Sequence, residues 1–339
     1  MTHRATGIGS QPGTDIVEAT QIVFGETGDL PYLPELPARG APAGVVGRTL
    51  ALVSDIGIDL QPAGWRLTDG SGVDHRRAVS LLARDLDAVE EQIPAGSAAF
   101  KVQLAGPWTL AAAVERPRGD KVLADHGARR DLAQALAEGL TTHLTDVRRR
   151  TGVDELVVQL DEPSLPAVLE GRIPTASGFG RHRSVAPAEA AAALDWLVDV
   201  CQAAGAVPVL HCCAPTLPWP VLRETQLRAV SFDLAAVGES SYDDLAAWAD
   251  AGRELWPGVV PALEPSGPAT GADLTRQVLG WWSDLGFSDL DTLPPTTVTP
   301  GCGLAGATPR WARTAHELAT VVARNLSVEQ GSAASRPDS

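Results

Sequence analysis

The chain has 339 residues, 44% of them hydrophobic, and a formal net charge of −15 from 27 basic and 42 acidic residues. That is enough apolar material for a sizeable core, and an acidic chain with no basic tract argues against nucleic acid or an anionic membrane surface as a partner. Met1–Pro12 lacks the apolar run of a signal peptide, and no stretch reaches the about 20 apolar residues of a membrane span, so a cytoplasmic protein is expected.

Ala5–Ser10 reads as a first strand with a glycine-rich exit, and Thr14 or Asp15 is placed to cap the helix that follows. Leu30–Arg39 carries prolines at 31, 34 and 37, which exclude a regular helix or a central strand. It reads as a stiff extended loop that holds Glu35 over a site. Ala43–Ser54 is a short helix, Asp59–Thr68 a second strand with an irregular turn, and Asp74–Gln92 a helix. The strand Ala98–Leu104 leads into Gly106-Pro107-Trp108-Thr109. Arg129–Arg149 repeats leucine at 132, 136, 140 and 144, an amphipathic helix laid on a sheet.

Glu155–Leu160 is a strand ending in Asp161-Glu162-Pro163, and Pro187–Ala204 a helix. A strand at Val207 runs into His211-Cys212-Cys213, followed by a helix near Pro220–Glu224, a strand at Arg228–Asp233 and a helix at Asp243–Glu254. A strand at Val259–Leu263 ends in Glu264-Pro265, a helix covers Ala272–Leu285, a last strand precedes Cys302, and Pro309–Asn325 is helical. About eight strand–helix units without a break in composition predict a single (β/α)8 TIM barrel. It spans residues 1–326, with 327–339 as a polar, disordered tail. Polar residues recur where strands end, at Ser10, Asp161, His211, Asp233, Glu264 and Cys302, the face that carries the active site in such barrels.

The strongest chemical signal is in two of those strand ends. In an extended chain, side chains two apart share a side, so His211 and Cys213 can grip one ion while Cys212 points away. Thr296–Gly303 has the same form, a strand ending in Cys302 between glycines. Imidazole with two thiolates is a donor set suited to Zn2+. The four cysteines are not expected to pair as disulfides in a reducing compartment. Cys201 reads as a small buried hydrophobe, and the other histidines (3, 75, 126, 143, 182 and 316) as surface residues. The two lysines, Lys101 and Lys121, read as a matter of composition alone.

Six motifs in order resemble the catalytic barrel of the cobalamin-independent methionine synthase family. They are Gly7-Ile8-Gly9-Ser10-Gln11-Pro12, Gln61 with Gly64-Trp65, Gly106-Pro107-Trp108-Thr109, Gln159-Leu160-Asp161-Glu162-Pro163, His211-Cys212-Cys213 and Gly301-Cys302-Gly303-Leu304. The resemblance covers most of the chain and is to the short, single-barrel members. It implies a zinc-dependent methyltransferase that moves a methyl group to a small-molecule thiol, homocysteine giving methionine. It places the family's carboxylate zinc ligand at Asp233, one methylene shorter than the family's glutamate. It also implies that Asp161, with Glu35, holds the amino group of the substrate, against the plainer readings of a helix cap and a solvated loop carboxylate. Ser10 and neighbouring N–H groups would take the substrate carboxylate, and Trp65 and Trp108 would line the pocket.

After the seventh predicted strand the family's histidine, which assists transfer from methyl-folate, is missing; Pro261-Ala262-Leu263-Glu264-Pro265 stands there. Either Glu264 is the catalytic acid or the donor is one that needs none, such as a methyl-corrinoid or a sulfonium. Related barrels that transfer methyl groups from corrinoid proteins to thiols share the His-x-Cys and Gly-Cys-Gly features. A catalytically silent barrel that binds zinc or a thiol is the remaining alternative.

Overall fold

Strands buried on both faces read as near-continuous apolar runs, and the chain holds several: Ala-Phe-Lys-Val-Gln-Leu-Ala, Glu-Leu-Val-Val-Gln-Leu-Asp and Ala-Val-Pro-Val-Leu-His-Cys. In the computed structural model, which describes residues 3–53, 55–289 and 293–333, these are neighbouring strands of one parallel sheet. In chain order the elements are β1 (Arg4–Ala5), α1 (Ile16–Glu26), α2 (Val45–Leu50), β2 (Gly57–Gln61), β3 (Gly64–Thr68), α3 (Val73–Gln92), β4 (Ala99–Ala105), α4 (Pro107–Ala113), α5 (His126–Thr151), β5 (Glu155–Asp161), α6 (Leu165–Leu169) and α7 (Pro187–Ala203). They continue with β6 (Ala206–Cys212), α8 (Trp219–Leu222), β7 (Ala229–Asp233), α9 (Tyr242–Asp250), β8 (Glu254–Val260), α10 (Gly271–Asp284), β9 (Thr297–Pro300) and α11 (Pro309–Ala333).

Seven strands form a curled sheet in the order β1-β9-β8-β7-β6-β5-β4, every pair parallel. The architecture is mixed α/β and consistent with a TIM-like barrel that no regular ladder fully closes. Between the two edge strands lies the proline-rich segment that the sequence analysis reads as a loop. It is extended as expected, but its free backbone groups are not solvated. Leu33 N donates to Lys101 O (2.9 Å) and Lys101 N to Pro31 O (2.9 Å) on the β4 side. Glu35 N donates to Gly9 O (3.0 Å) and Gln11 N to Glu35 O (2.8 Å) on the other. The prolines fall where no N–H is needed, so the segment bridges both edges despite them.

Helix ends follow their side chains. Asp15 accepts from Val17 N and Glu18 N at the start of α1, Asp125 from Ala128 N at the start of α5, and Gly152 ends α5 in the left-handed region at φ 63°. The leucines at 132, 136, 140 and 144 are all buried.

Four expectations need correction. Asp59–Thr68 is no barrel strand. β2 and β3 form an antiparallel hairpin outside the sheet, reversed at Gln61–Gly64 with Gly64 at φ 129°. The seventh predicted strand is shifted toward the N-terminus: β8 starts at Glu254, assigned above to a helix, and ends at Val260. Pro257 and Gly258 inside it hid the strand, and the ladder is irregular at Gly258–Val260. The last helix runs to Ala333, so the tail expected from residue 327 is helical over its first part; residues 334–339, and Ser54 at the end of the predicted second helix, lie outside the described residues. Finally, five of the six other histidines are buried: His3, His75, His143, His182 and His316.

A buried ionic cluster ties α3 to the segment before α2. Arg39 makes a two-pronged contact with Asp85 (2.7 Å on each oxygen), and Arg48 also bonds that carboxylate, which has no exposed surface. Removing the shared partner strands Arg39 and leaves Arg48 with the longer contact to Glu35. Asp85→Ala is expected to cost about 3–5 kcal/mol of stability in urea unfolding, whereas a loss under about 1 kcal/mol would mark the cluster as solvated.

Candidate metal and substrate site

At the carboxyl end of the sheet, β6 delivers its last residues by alternation. His211 points inward, Cys212 is fully buried in the packing outside, and Cys213 follows on the inner side. The loop after β9 brings Cys302 to Cys213, with the sulfurs 3.2 Å apart and both cysteines free. Donor atoms of His211, Cys213 and Cys302 all lie within 4.8 Å of one another. Ser231 sits beside His211 in the β6–β7 register and its Oγ is 3.0 Å from His211 Nδ1. This leaves Nε2 of the same ring buried without a partner. A buried ring nitrogen with no partner, beside two sulfurs, fits a soft metal ion. Cys302 is pushed down to about 4, first by its hydrogen bond with Cys213 and next by His211, while Cys213 is pushed up. The two sulfurs therefore share one proton more readily than either would alone, and a thiolate is the form a metal needs.

The cluster opens on a cavity of about 220 Å3 whose walls include Ser10, Glu35, Asp161, His211, Cys213 and Cys302. The structure thus brings together six of the nine predicted site residues. Of the other three, Asp233 borders the Cys302 loop without joining the donor group, and Trp65 and Glu264 lie apart. Trp65 is buried on β3 within the core, away from the cavity wall. Asp233 Oδ1 accepts from Ala235 N (3.0 Å), capping the turn after β7, and Asp233 is not in the donor group. Glu264 is exposed, beyond the end of β8 at Val260. Glycines let the Cys302 loop pass close to its neighbours: a Cβ on Gly303 would sit 2.1 Å from Ser10 Oγ, and one on Gly301 2.8 Å from the Asp233 carboxyl carbon, so either side chain would have to move.

Two buried carboxylates face the cavity, and Glu35 keeps a long ion pair with Arg48. Asp161 Oδ1 accepts from Gln159 Nε2 (2.7 Å), and Glu35 Oε1 from Gln103 Nε2 (3.1 Å) with Arg48 Nε 3.7 Å away. Burial pushes Asp161 up to about 7 and raises Glu35 as well. An incoming ammonium would relieve both.

Asp161 and Glu162 divide their roles by strand parity. Glu162, with no exposed surface, faces away and accepts from Trp108 N (2.9 Å), Thr109 N (2.8 Å) and Thr109 Oγ1 (2.7 Å), so it holds the first turn of α4. The helix-cap reading belongs to Glu162 rather than to Asp161. Trp108 packs in the core and its indole donates to Ala190 O (2.9 Å). Sequence reasoning passed over Ser231, Gln159, Gln103 and Lys101. The signal was spacing by two along β4 and β5, which puts Lys101 with Gln103, and Gln159 with Asp161, on the inner face.

Stripping the Glu162 carboxylate leaves two buried N–H groups unmet. Glu162→Ala is expected to lose about 2–4 kcal/mol in chemical unfolding. Asp161→Asn, which removes a strained buried charge, should change stability by less than about 1 kcal/mol. Equal losses at both positions would contradict the division.

Comparison with known proteins gives the family. The family model described as the cobalamin-independent synthase catalytic domain matches residues 3–325. Among solved structures, a B12-independent methionine synthase from Shewanella sp. W3-18-1 in complex with selenomethionine aligns at TM-score 0.64 and 12% identity, covering 98% of this chain and 100% of that one. This is a likeness of fold. A GH5_18 structure from Streptomyces cattleya in complex with GlcNAc reaches TM-score 0.47 at 15% identity over 100% of this chain and 82% of that one, too distant to carry an argument. The search of curated proteins returned no match. With the family match running nearly end to end over a curled parallel sheet, the chain belongs to the cobalamin-independent synthase catalytic-domain family.

Proposed function

We propose that this chain is a zinc-dependent methyltransferase acting on a small amino-acid thiol, with homocysteine as acceptor and methionine as product. The reading takes it as a single cytoplasmic (β/α)8 barrel, with the proline-rich Leu30–Leu36 segment as the eighth stave. None of the described helices is long and apolar enough to cross a membrane. The observation that carries the proposal is the convergence of one unpartnered imidazole nitrogen and two cysteine sulfurs on the wall of a cavity that also holds two buried carboxylates.

His211 Nε2, Cys213 Sγ and Cys302 Sγ would hold the zinc. Bound there, the ion supplies Lewis acidity that removes a thiol's proton at neutral pH, where a free thiol with its pKa of about 8.5 stays protonated. Ser231 fixes the His211 ring through Nδ1, so that Nε2 faces the sulfurs. Asp161 and Glu35 bind the substrate ammonium, and Ser10 at the β1 exit takes the carboxylate. In the net reaction a sulfur–carbon bond forms, the bond from the methyl group to its donor breaks, and the thiol proton leaves. Asp233 accepts from Ala235 N through Oδ1 alone, so its second oxygen is the one that would serve as a fourth ligand.

The position of Glu264 bears on the donor. An acid must reach the departing atom within hydrogen-bond distance, and Glu264 is exposed and off the cavity wall. Glu264 as placed here is not that acid, and the donor assay below separates methyl-folate from a methyl-corrinoid or a sulfonium, which depart without taking a proton.

The test is a thiol-methylation assay on zinc-replete protein with methyl-folate, methyl-corrinoid and sulfonium donors. Cys302→Ser is expected to lose bound zinc and turnover together. Ser231→Ala should weaken zinc binding by about 10–100-fold. Glu264→Gln should leave turnover nearly intact, where removing a true general acid costs about 10²–10⁴-fold. A protein with its full complement of zinc and no transfer from any donor would favour a silent zinc-binding barrel.

A further inference from the structure

Beneath the cavity floor lies a lysine with no exposed surface, in a chain that has only two. Lys101 and Gln103 alternate inward on β4, and Gln159 and Asp161 on β5, with Gln103 opposite Gln159 in the register. The Lys101 ammonium therefore sits one layer below the two carboxamides, and the carboxylates sit above. It donates to Gln159 Oε1 (2.9 Å), to Ile8 O (3.0 Å) and, over a longer 3.5 Å, to Gln103 Oε1. Its ammonium also lies 5.0 Å from the Tyr32 ring centre.

The polarity of those two amides is what matters. An ammonium has only donors, so any amide next to it must turn its oxygen inward. That orientation sends both NH2 groups outward. Gln159 Nε2 then donates to Asp161 Oδ1 (2.7 Å) and Ile8 O (2.8 Å). Gln103 Nε2 donates to Glu35 Oε1 (3.1 Å) and to Leu33 O. Every N–H of this fork is used, and each arm ends on one carboxylate. Had either amide flipped, its oxygen would face a carboxylate oxygen across hydrogen-bond distance, and that carboxylate would swing away or protonate.

We propose that Lys101 is a positioning residue for substrate recognition: through the oriented amides of Gln159 and Gln103 it holds Asp161 and Glu35 aimed together at one point of the cavity, and so sets selectivity for a thiol that carries an amino group. This rests on the functional reading above and adds to it the residue that enforces amine selectivity. Lys101 is remote from the sulfur donors in role: it touches neither Cys213, Cys302 nor His211.

The experiment measures binding by calorimetry to zinc-loaded protein, using homocysteine and 4-mercaptobutanoate, the same thiol acid without its amino group. Wild type should bind homocysteine more tightly. Lys101→Met, an apolar chain of similar length, should lower homocysteine affinity by about tenfold or more, the worth of charge-assisted hydrogen bonds. It should leave 4-mercaptobutanoate binding and zinc content unchanged, so the selectivity ratio falls toward one. Gln159→Leu and Gln103→Leu each remove one arm, and each should reproduce part of the loss. If Lys101→Met does not fold, the double variant of the two glutamines carries the test. A wild-type ratio preserved in Lys101→Met, or in the double variant, overturns the proposal while leaving the methyltransferase reading intact. Equal wild-type affinity for the two thiols overturns both.

Discussion

A charge placed inside a curled parallel sheet has no water to meet it, so each one must find its partner within the same interior. That constraint arranges this molecule. Alternation along β4 and β5 turns Lys101, Gln103, Gln159 and Asp161 inward, and Glu35 arrives from the bridging segment between the sheet edges. Desolvation alone would neutralise both carboxylates and the ammonium. It does act on them: burial pushes Lys101 down to about 7 and Asp161 up to about 7. The amides between them link one positive charge to two negative sites, and Arg48 stands beside Glu35 as a second cation. On the proposed reading, a substrate ammonium would add positive charge between the two carboxylates.

Glu35 shows how far this demand reaches. Its segment is extended because prolines hold it so, and it stays in register because its N–H groups bond to β1's exit and to β4. Arg48 stands 3.7 Å from its carboxylate, and Arg48 is itself held by Asp85 on α3, which also binds Arg39. A buried guanidinium with a single weak partner would be expensive. Asp85 offsets that cost and, in doing so, ties the aim of a cavity residue to helix packing on the outside of the sheet. Helix packing and the placement of Glu35 thus meet at one carboxylate.

Much of this was legible in residue order. The apolar runs, the leucine spacing of α5 and the caps at Asp15 and Asp125 follow from local rules, and so does the meeting of His211, Cys213 and Cys302, since two strand ends of the same form come to the same face. What was hidden was set by tertiary context. Proline counts against a central strand, yet residues 30–36 bond to both sheet edges because the prolines occupy positions without a needed donor. Pro257 and Gly258 disguised β8 in the same way, and that displaced Glu264 from a strand end to an exposed loop. Buried histidines such as His316, whose Nε2 is 3.1 Å from Tyr32 Oη, look like surface residues when helices are read one at a time. Lys101 was dismissed as composition, although its inward parity with Gln103 was already written in the strand.

The two ends of the cavity differ in kind. The carboxylate end is over-determined: each hydrogen-bond donor of Lys101, Gln103 and Gln159 has an acceptor, and rotation of any one disturbs the others. The sulfur end is under-determined. Three soft donors converge there, the nearby carboxylate of Asp233 is engaged with Ala235 N, and the His211 nitrogen that faces the sulfurs has nothing to bond. Structural zinc sites are closed by four protein ligands, while catalytic ones keep a position for substrate. On the proposed reading, a thiol anchored through its ammonium and carboxylate would bring its sulfur toward His211, Cys213 and Cys302 with little freedom left. Rigidity at one end would then set the approach at the other, where only three soft protein donors converge.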